Sequence, residues 1–248
     1  MFFIKLVALS VLSLSVVNGQ GTDECPEIPE TGVTIGDPVP IRPEDIPAGC
    51  SDFEILVARG TSEPNYVGGG GKFGIIVGDP VVSNATVALP GARGYPYPAS
   101  SQIITGVRQG SRDVVNRLKS QAAACPNQNF SLVGYSQGAA VMHAAAADIP
   151  AELYGRIKSL VMFGDGYLKL GASLSKFPAG LNEKARQFCA AGDPVRLILT
   201  SNRIHLTQAD SYVKVCDANG TCTFFHLTYI RPELINPAVD FIVQKFIQ

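Results

Sequence analysis

The chain has 248 residues, 46% apolar and 17% charged, with 20 basic side chains against 21 acidic ones and a formal net charge of −1. That balance, with no run of Lys or Arg, excludes the electrostatic footprint of a nucleic-acid binder and suits neutral or weakly charged substrates. The length supports one sizeable core rather than two.

Residues 1–19 carry one Lys, an apolar run and then Asn18-Gly19. The run is short for a membrane span and ends in small residues, which predicts a cleaved secretory signal and a soluble extracellular protein. Asn84, Asn129 and Asn219 open glycosylation sequons. Residues 20–48 are rich in Pro and acidic residues and predict an irregular arm, with Cys25 as a disulfide tether rather than a ligand.

The domain proper, residues 49–248, opens with an apolar strand pattern at 53–58 that ends in Arg59-Gly60-Thr61-Ser62-Glu63. Gly68 to Gly71 and Lys72 imitate a phosphate loop, but Phe73 stands where Ser or Thr is needed and no strand leads in. Residues 72–82 predict a short helix broken by Pro80, 86–89 a second strand, and 91–98 a loop that sets Tyr95 and Tyr97 near a site rim. Apolar residues at helical spacing from 101 to 124 predict an amphipathic helix.

A strand at 130–133 then runs into Gly134-Tyr135-Ser136-Gln137-Gly138 and an alanine-rich helix. This is the strand–turn–helix context of a Gly-x-Ser-x-Gly nucleophile elbow, with Ser136 as nucleophile. A Cβ at 134 or 138 would crowd the adjoining strand and helix. The N–H after the nucleophile, on Gln137, is one oxyanion donor, and a second must come from a loop after another strand.

Apolar runs at 157–163 and 186–190 predict further strands, so strands alternate with helices around a parallel sheet whose C-terminal ends gather the site. Asp165 and Asp193 both lie at such ends. Of three histidines, His143 sits two turns beyond Ser136 and reads as packing, leaving His205 and His226 as candidate bases. A terminal helix is expected near 236–246. Cys216 and Cys222 flank an Asn-Gly turn that would set them opposite each other for a disulfide. There is no Cys-x-x-Cys and no His-Glu-x-x-His, so no metal and no cofactor are expected.

Four motifs stand in one order: Ala58-Arg59-Gly60-Thr61, Gly134-Tyr135-Ser136-Gln137-Gly138-Ala139, Gly192-Asp193 and His226-Leu227-Thr228-Tyr229. Together they resemble the cutinase family of small secreted serine esterases. The resemblance implies a three-layer α/β-hydrolase-type fold with a central, mostly parallel five-stranded sheet. It implies Thr61 as the second oxyanion donor, Asp193 rather than Asp165 as the triad acid, and His226 rather than His205 as the base. Residues 204–225 would then be an insertion carrying the hairpin. It also implies a Cys50–Cys125 bridge, which leaves Cys25 and Cys189 to pair; the departure is Arg196, where the family usually has a cysteine. The activity implied is hydrolysis of carboxylic esters through an acyl-enzyme, on cutin-like polyesters or short-to-medium acyl esters, by a monomer. An acetylxylan esterase acting on acetylated polysaccharide, and a non-catalytic effector or binding module on the same fold, are the alternatives.

Overall fold

Strand β1, Phe53–Ala58, is buried along its whole length, as a strand covered on both faces must be. The structure is a computed structural model that describes residues 41–63, 71–97, 102–170, 175–190, 193 and 223–248. Within them β1 is followed by α1 (Gly78–Ala88), β2 (Ala92–Tyr97), α2 (Ile103–Ala124), β3 (Asn129–Tyr135), α3 (Gln137–Asp148), β4 (Ile157–Phe163), β5 (Ala185–Phe188) and α4 (Pro232–Ile247). The five strands form one sheet in the order β2-β1-β3-β4-β5, and every pairing is parallel.

Side chains that alternate along each strand build two cores. Phe53, Ile55, Val57, Val133, Val161 and Phe163 face α1 and α4. Leu56, Ala58, Leu132, Leu160 and Met162 face α2 and α3. The result is the three-layer α/β fold with a five-stranded sheet that the resemblance implies. Chain order also creates a gap: β2 lies on one side of β1 and β3 on the other, so the connections leaving β1 and β3 diverge at their C-terminal ends. A crevice at such a switch point is where open α/β sheets place their chemistry.

Three expected elements differ. Residues 86–89 close α1 instead of forming a strand, because Pro80 occupies the first turn of that helix, where a missing N–H removes no helical bond. The second strand is instead Ala92–Tyr97, an edge strand that accommodates Pro96. Tyr97 is therefore buried under α2, with its hydroxyl donating to the Asp113 carbonyl at 3.2 Å, rather than standing in a rim loop. The terminal helix also starts earlier than expected, with Pro232 as its first residue and Pro237 inside it.

Cys50 and Cys125 form the expected disulfide. Cys189 is disulfide-bonded as well, while the expected Cys25–Cys189 and Cys216–Cys222 pairings, the arm before residue 41, the signal and the 204–222 insertion fall outside the described residues. Among the described residues no helix is long and apolar enough to cross a membrane.

At the opposite end of β1 from the crevice, the Glu54 carboxylate has no solvent exposure and pairs with Arg93 at 2.7 Å and Arg117 at 2.9 Å. It ties β1 to the edge strand and to α2. Removing the carboxylate leaves two part-buried guanidinium groups without their counter-charge, so Glu54→Ala is expected to lower stability by about 3 kcal/mol. Urea unfolding measures this, and a loss within about 0.5 kcal/mol would show that water replaces the pair.

Candidate active site

Strand β3 ends at Tyr135 and α3 begins at Gln137, so Ser136 alone carries the reversal, at φ 54° and ψ −117°. A residue with a Cβ resists that conformation and is held there only by its surroundings. The Ser136 N–H donates to the Phe163 carbonyl at the end of β4 at 2.9 Å, and the Ser136 carbonyl accepts the Ala139 N–H at 3.0 Å. The flanking glycines meet hard limits: a Cβ on Gly138 would lie 1.9 Å from the Ala58 carbonyl oxygen, and one on Gly134 would lie 2.6 Å from that of Gly138. Gln137 opens α3, buried, with its side-chain amide donating to the Gln102 carbonyl at 3.3 Å.

His226 lies on the 3₁₀ segment Thr223–Ile230. Its Nδ1 stands 2.9 Å from Asp193 Oδ2 and 3.0 Å from Oδ1, and the Asp193 side chain is wholly buried. The His226 ring stacks on Tyr135, the residue before Ser136, with centroids 5.1 Å apart. The Tyr135 hydroxyl donates to the His226 carbonyl at 2.5 Å. On another side a Cβ at Gly164 would come within 2.7 Å of His226 Cε1. His226 Nε2 is buried and makes no hydrogen bond with the described residues. With Nδ1 committed to a carboxylate as donor, Nε2 carries the lone pair that can take a proton.

Tyr229, the last residue of the His226-Leu227-Thr228-Tyr229 motif, is a further partner of Asp193. One 3₁₀ turn beyond His226, it projects from the same face, is fully buried, and donates to Asp193 Oδ2 at 2.5 Å while accepting the Ala190 N–H at 3.1 Å. Burial, with the Asp193 charge second, pushes the Tyr229 phenol far above its ordinary range, so it remains a donor. Burial raises Tyr135 likewise.

The loop after β1 completes the crevice. A Cβ on Gly60 would stand 2.8 Å from the Tyr135 ring and 3.5 Å from the Ser136 Cβ, so this segment lies against the elbow and carries half-buried Thr61 beside it. The buried Arg59 donates from Nε to the Tyr97 carbonyl at 3.0 Å and from Nη1 to the Glu63 carbonyl at 3.4 Å. Burial lowers the Arg59 pKa to about 10. Burial also pushes the Glu63 carboxyl up to about 7, against backbone N–H donors and the Arg59 charge that favour the carboxylate.

A second His/Asp pair lies elsewhere. Asp165 does follow β4, but its Oδ2 contacts His143 Nε2 at 2.7 Å and accepts from Gln187 at 2.8 Å, while Oδ1 accepts the Tyr167 N–H at 2.9 Å. His143, on α3, is stacked between Tyr167 at 4.6 Å and Phe177 at 4.0 Å. It is thus the packing residue expected, and Asp165 serves it rather than His226. His205 lies outside the described residues.

A family model described as Cutinase matches residues 49–246. A cutinase of Hypocrea jecorina is 36% identical over 65% of this chain and 63% of its own length. The Trichoderma reesei cutinase solved in complex with a C11Y4 phosphonate inhibitor is 30% identical, with a TM-score of 0.56 over 79% of this chain and 77% of that one. An acetylxylan esterase structure, 22% identical, shares the fold with a TM-score of 0.59 over 80% of this chain and 100% of that one. The chain spans about half to two thirds of the length of the curated relatives it matches. With the matched model covering nearly the whole described region, the chain belongs to the cutinase family.

Proposed function

We propose that the protein is a secreted serine carboxylic-ester hydrolase working through an acyl-enzyme on the triad Ser136, His226 and Asp193. The observation that carries this reading is a histidine held through Nδ1 by a buried aspartate, its ring against the residue that precedes a strained serine. Ser136 Oγ attacks the ester carbonyl as His226 Nε2 takes its proton, and the imidazolium is stabilised by Asp193. The N–H groups of Gln137 and Thr61 hold the oxyanion, and the positive end of α3 adds to them. His226 then protonates the departing alcohol, and water repeats the sequence to release the acid.

The domain plan goes with this reading: residues 1–19 as a cleaved signal, 20–48 as an arm, 49–248 as the catalytic domain of a monomer. The Cys50–Cys125 bridge supports an oxidising compartment. Of the sequon asparagines, Asn84 is exposed on α1 and Asn129 is half-buried, so Asn84 is the better glycan acceptor. For substrate, a carboxylic ester with an apolar acyl group fits best, including the ester units of an insoluble polyester. Ile104 is 78% exposed two residues beyond Gln102, the partner of Gln137. Ile230 is 54% exposed at the end of the segment that bears His226.

Ser136→Ala is expected to lower butyrate-ester hydrolysis by at least about 10⁴-fold with unchanged circular dichroism. A fluorophosphonate should label Ser136 in the parent, whereas an unlabelled, inactive parent would establish a binding module. The two histidines separate on the same assay: His226→Ala should abolish turnover, while His143→Ala, though less stable, should keep kcat within about tenfold of the parent. Equal losses would make the His143 pair part of the machinery. With each buried methylene contributing about 0.8 kcal/mol, butyrate should exceed acetate in kcat/KM by roughly tenfold. Acetate equal to butyrate, with acetate released from acetylated xylan, would assign the acetylxylan esterase activity instead.

A further inference from the structure

The segment that brings Thr61 to Ser136 is a four-residue turn closed twice by one residue. The Glu63 N–H donates to the Gly60 carbonyl at 3.1 Å, and the Glu63 carboxylate returns to accept the Gly60 N–H on Oε2 at 2.9 Å. Its other oxygen leaves the turn altogether: Oε1 accepts the N–H of Ile76 at 2.8 Å and of Val77 at 3.3 Å, at the start of α1, where the helix favours negative charge. Thr61 and Ser62 are the two residues between these closures, and Ser62 holds a positive φ of 54°, which a free turn of this composition would abandon. The carboxylate is 3% exposed as a residue, and room for it is cut from the backbone: a Cβ on Gly74 would fall 2.6 Å from Glu63 Cδ. Burying a carboxylate is costly and is tolerated where it is fully hydrogen-bonded. Nothing in the triad chemistry uses it.

We propose that Glu63 is a positioning residue for the oxyanion hole, tying the Gly60–Glu63 turn to the start of α1 so that the Thr61 donor is fixed against Ser136 before substrate arrives. This rests on the reading of Thr61 as an oxyanion donor. The physical requirement is that donors to a developing oxyanion stand still, since a displacement of about 1 Å costs on the order of 10²-fold in rate. A neutral amide at 63 keeps the volume but cannot accept at both ends: its NH₂ must face either the Gly60 N–H or those of Ile76 and Val77, and one anchor opens.

The test compares Glu63→Gln with Glu54→Gln, a buried carboxylate lost from the far end of β1, at matched fractions of folded enzyme. Glu63→Gln should lower kcat for butyrate-ester hydrolysis by roughly tenfold to hundredfold with KM unchanged. It should weaken a butyl trifluoromethyl ketone, which forms the tetrahedral oxyanion on Ser136, by the same factor. Glu54→Gln should lower the unfolding midpoint and leave both quantities alone. Gly74→Ala, which displaces the carboxylate without removing it, should repeat the kcat loss. An unchanged kcat in Glu63→Gln, a loss confined to KM, or equal kcat losses in the Glu54 variant would overturn the proposal while the parent's activity upheld the hydrolase. Failure of both Glu63→Gln and Gly74→Ala to fold would make Glu63 a folding residue alone. An inactive parent would remove the hydrolase reading and this one with it.

Discussion

The approach of α3 to β1 at Gly138 is the constraint on which the rest of the site depends. A side chain there would collide with the Ala58 carbonyl at 1.9 Å, so the helix lies on the sheet as closely as two backbones allow. Because β1 ends at Ala58, the loop that follows is delivered directly beside the N-terminus of α3. A contact between two backbones therefore brings together the elbow serine, the first N–H of the helix and the Arg59–Glu63 segment. The alanines that follow Gly138 extend the contact, with Ala139, Ala145 and Ala146 all buried. A larger residue in this stripe would lift the helix and part the two sides of the crevice.

Strain gathers at this crevice, carboxylates are buried both beside it and away from it, and each has a specific restraint. Ser62 and Ser136 are the positive-φ residues other than glycine among the described residues, and they lie on the two sides of the crevice. Ser136 is pinned by the Phe163 carbonyl, and Ser62 sits inside the turn that Glu63 closes. The buried acids are likewise separated by partner: Glu54 with two arginines, Glu63 with backbone amides, Asp165 with His143 and Gln187, Asp193 with His226 and Tyr229. Each carboxylate is satisfied locally, which lets several buried charges share one small domain without one capturing another's partner.

Strands β1, β3 and β4 were legible because a strand covered on both faces is mostly apolar, here with Glu54, Ser131 and Ser159 as buried polar exceptions, and the elbow because glycine spacing marks a backbone limit that no other residue meets. Residues 78–97 were not legible. Pro80 looks like a breaker, yet it lies in the first helical turn, and Gly94 and Pro96 make an edge strand look like a loop. Pro237 stands inside α4 because Ile235, Ala238, Val239, Phe241 and Ile242 are buried on the sheet and their packing carries the helix through a residue that interior helix positions disfavour by about 3 kcal/mol. The partners of Glu63 and Tyr229 are contacts that only the folded chain creates, so the sequence does not reveal them.

The two His/Asp pairs differ in a way that bears on the proposed triad. Both aspartates follow strands and are buried, and composition alone does not separate the two pairs. The difference is which ring nitrogen is occupied. Asp165 takes Nε2 of His143 at 2.7 Å, and aromatic rings close both faces of that imidazole, so its long reach from the backbone is spent inside the core. Asp193 takes Nδ1 of His226, which leaves the more distal nitrogen unengaged beside the elbow. A base must offer its lone pair to the reacting proton while its other nitrogen is held. That distinction is a matter of rotamer and tautomer, imposed on His226 by Tyr135 stacking on the ring and Gly164 admitting it, and it arises only when β3, the turn after β4, and the segment bearing His226 are assembled.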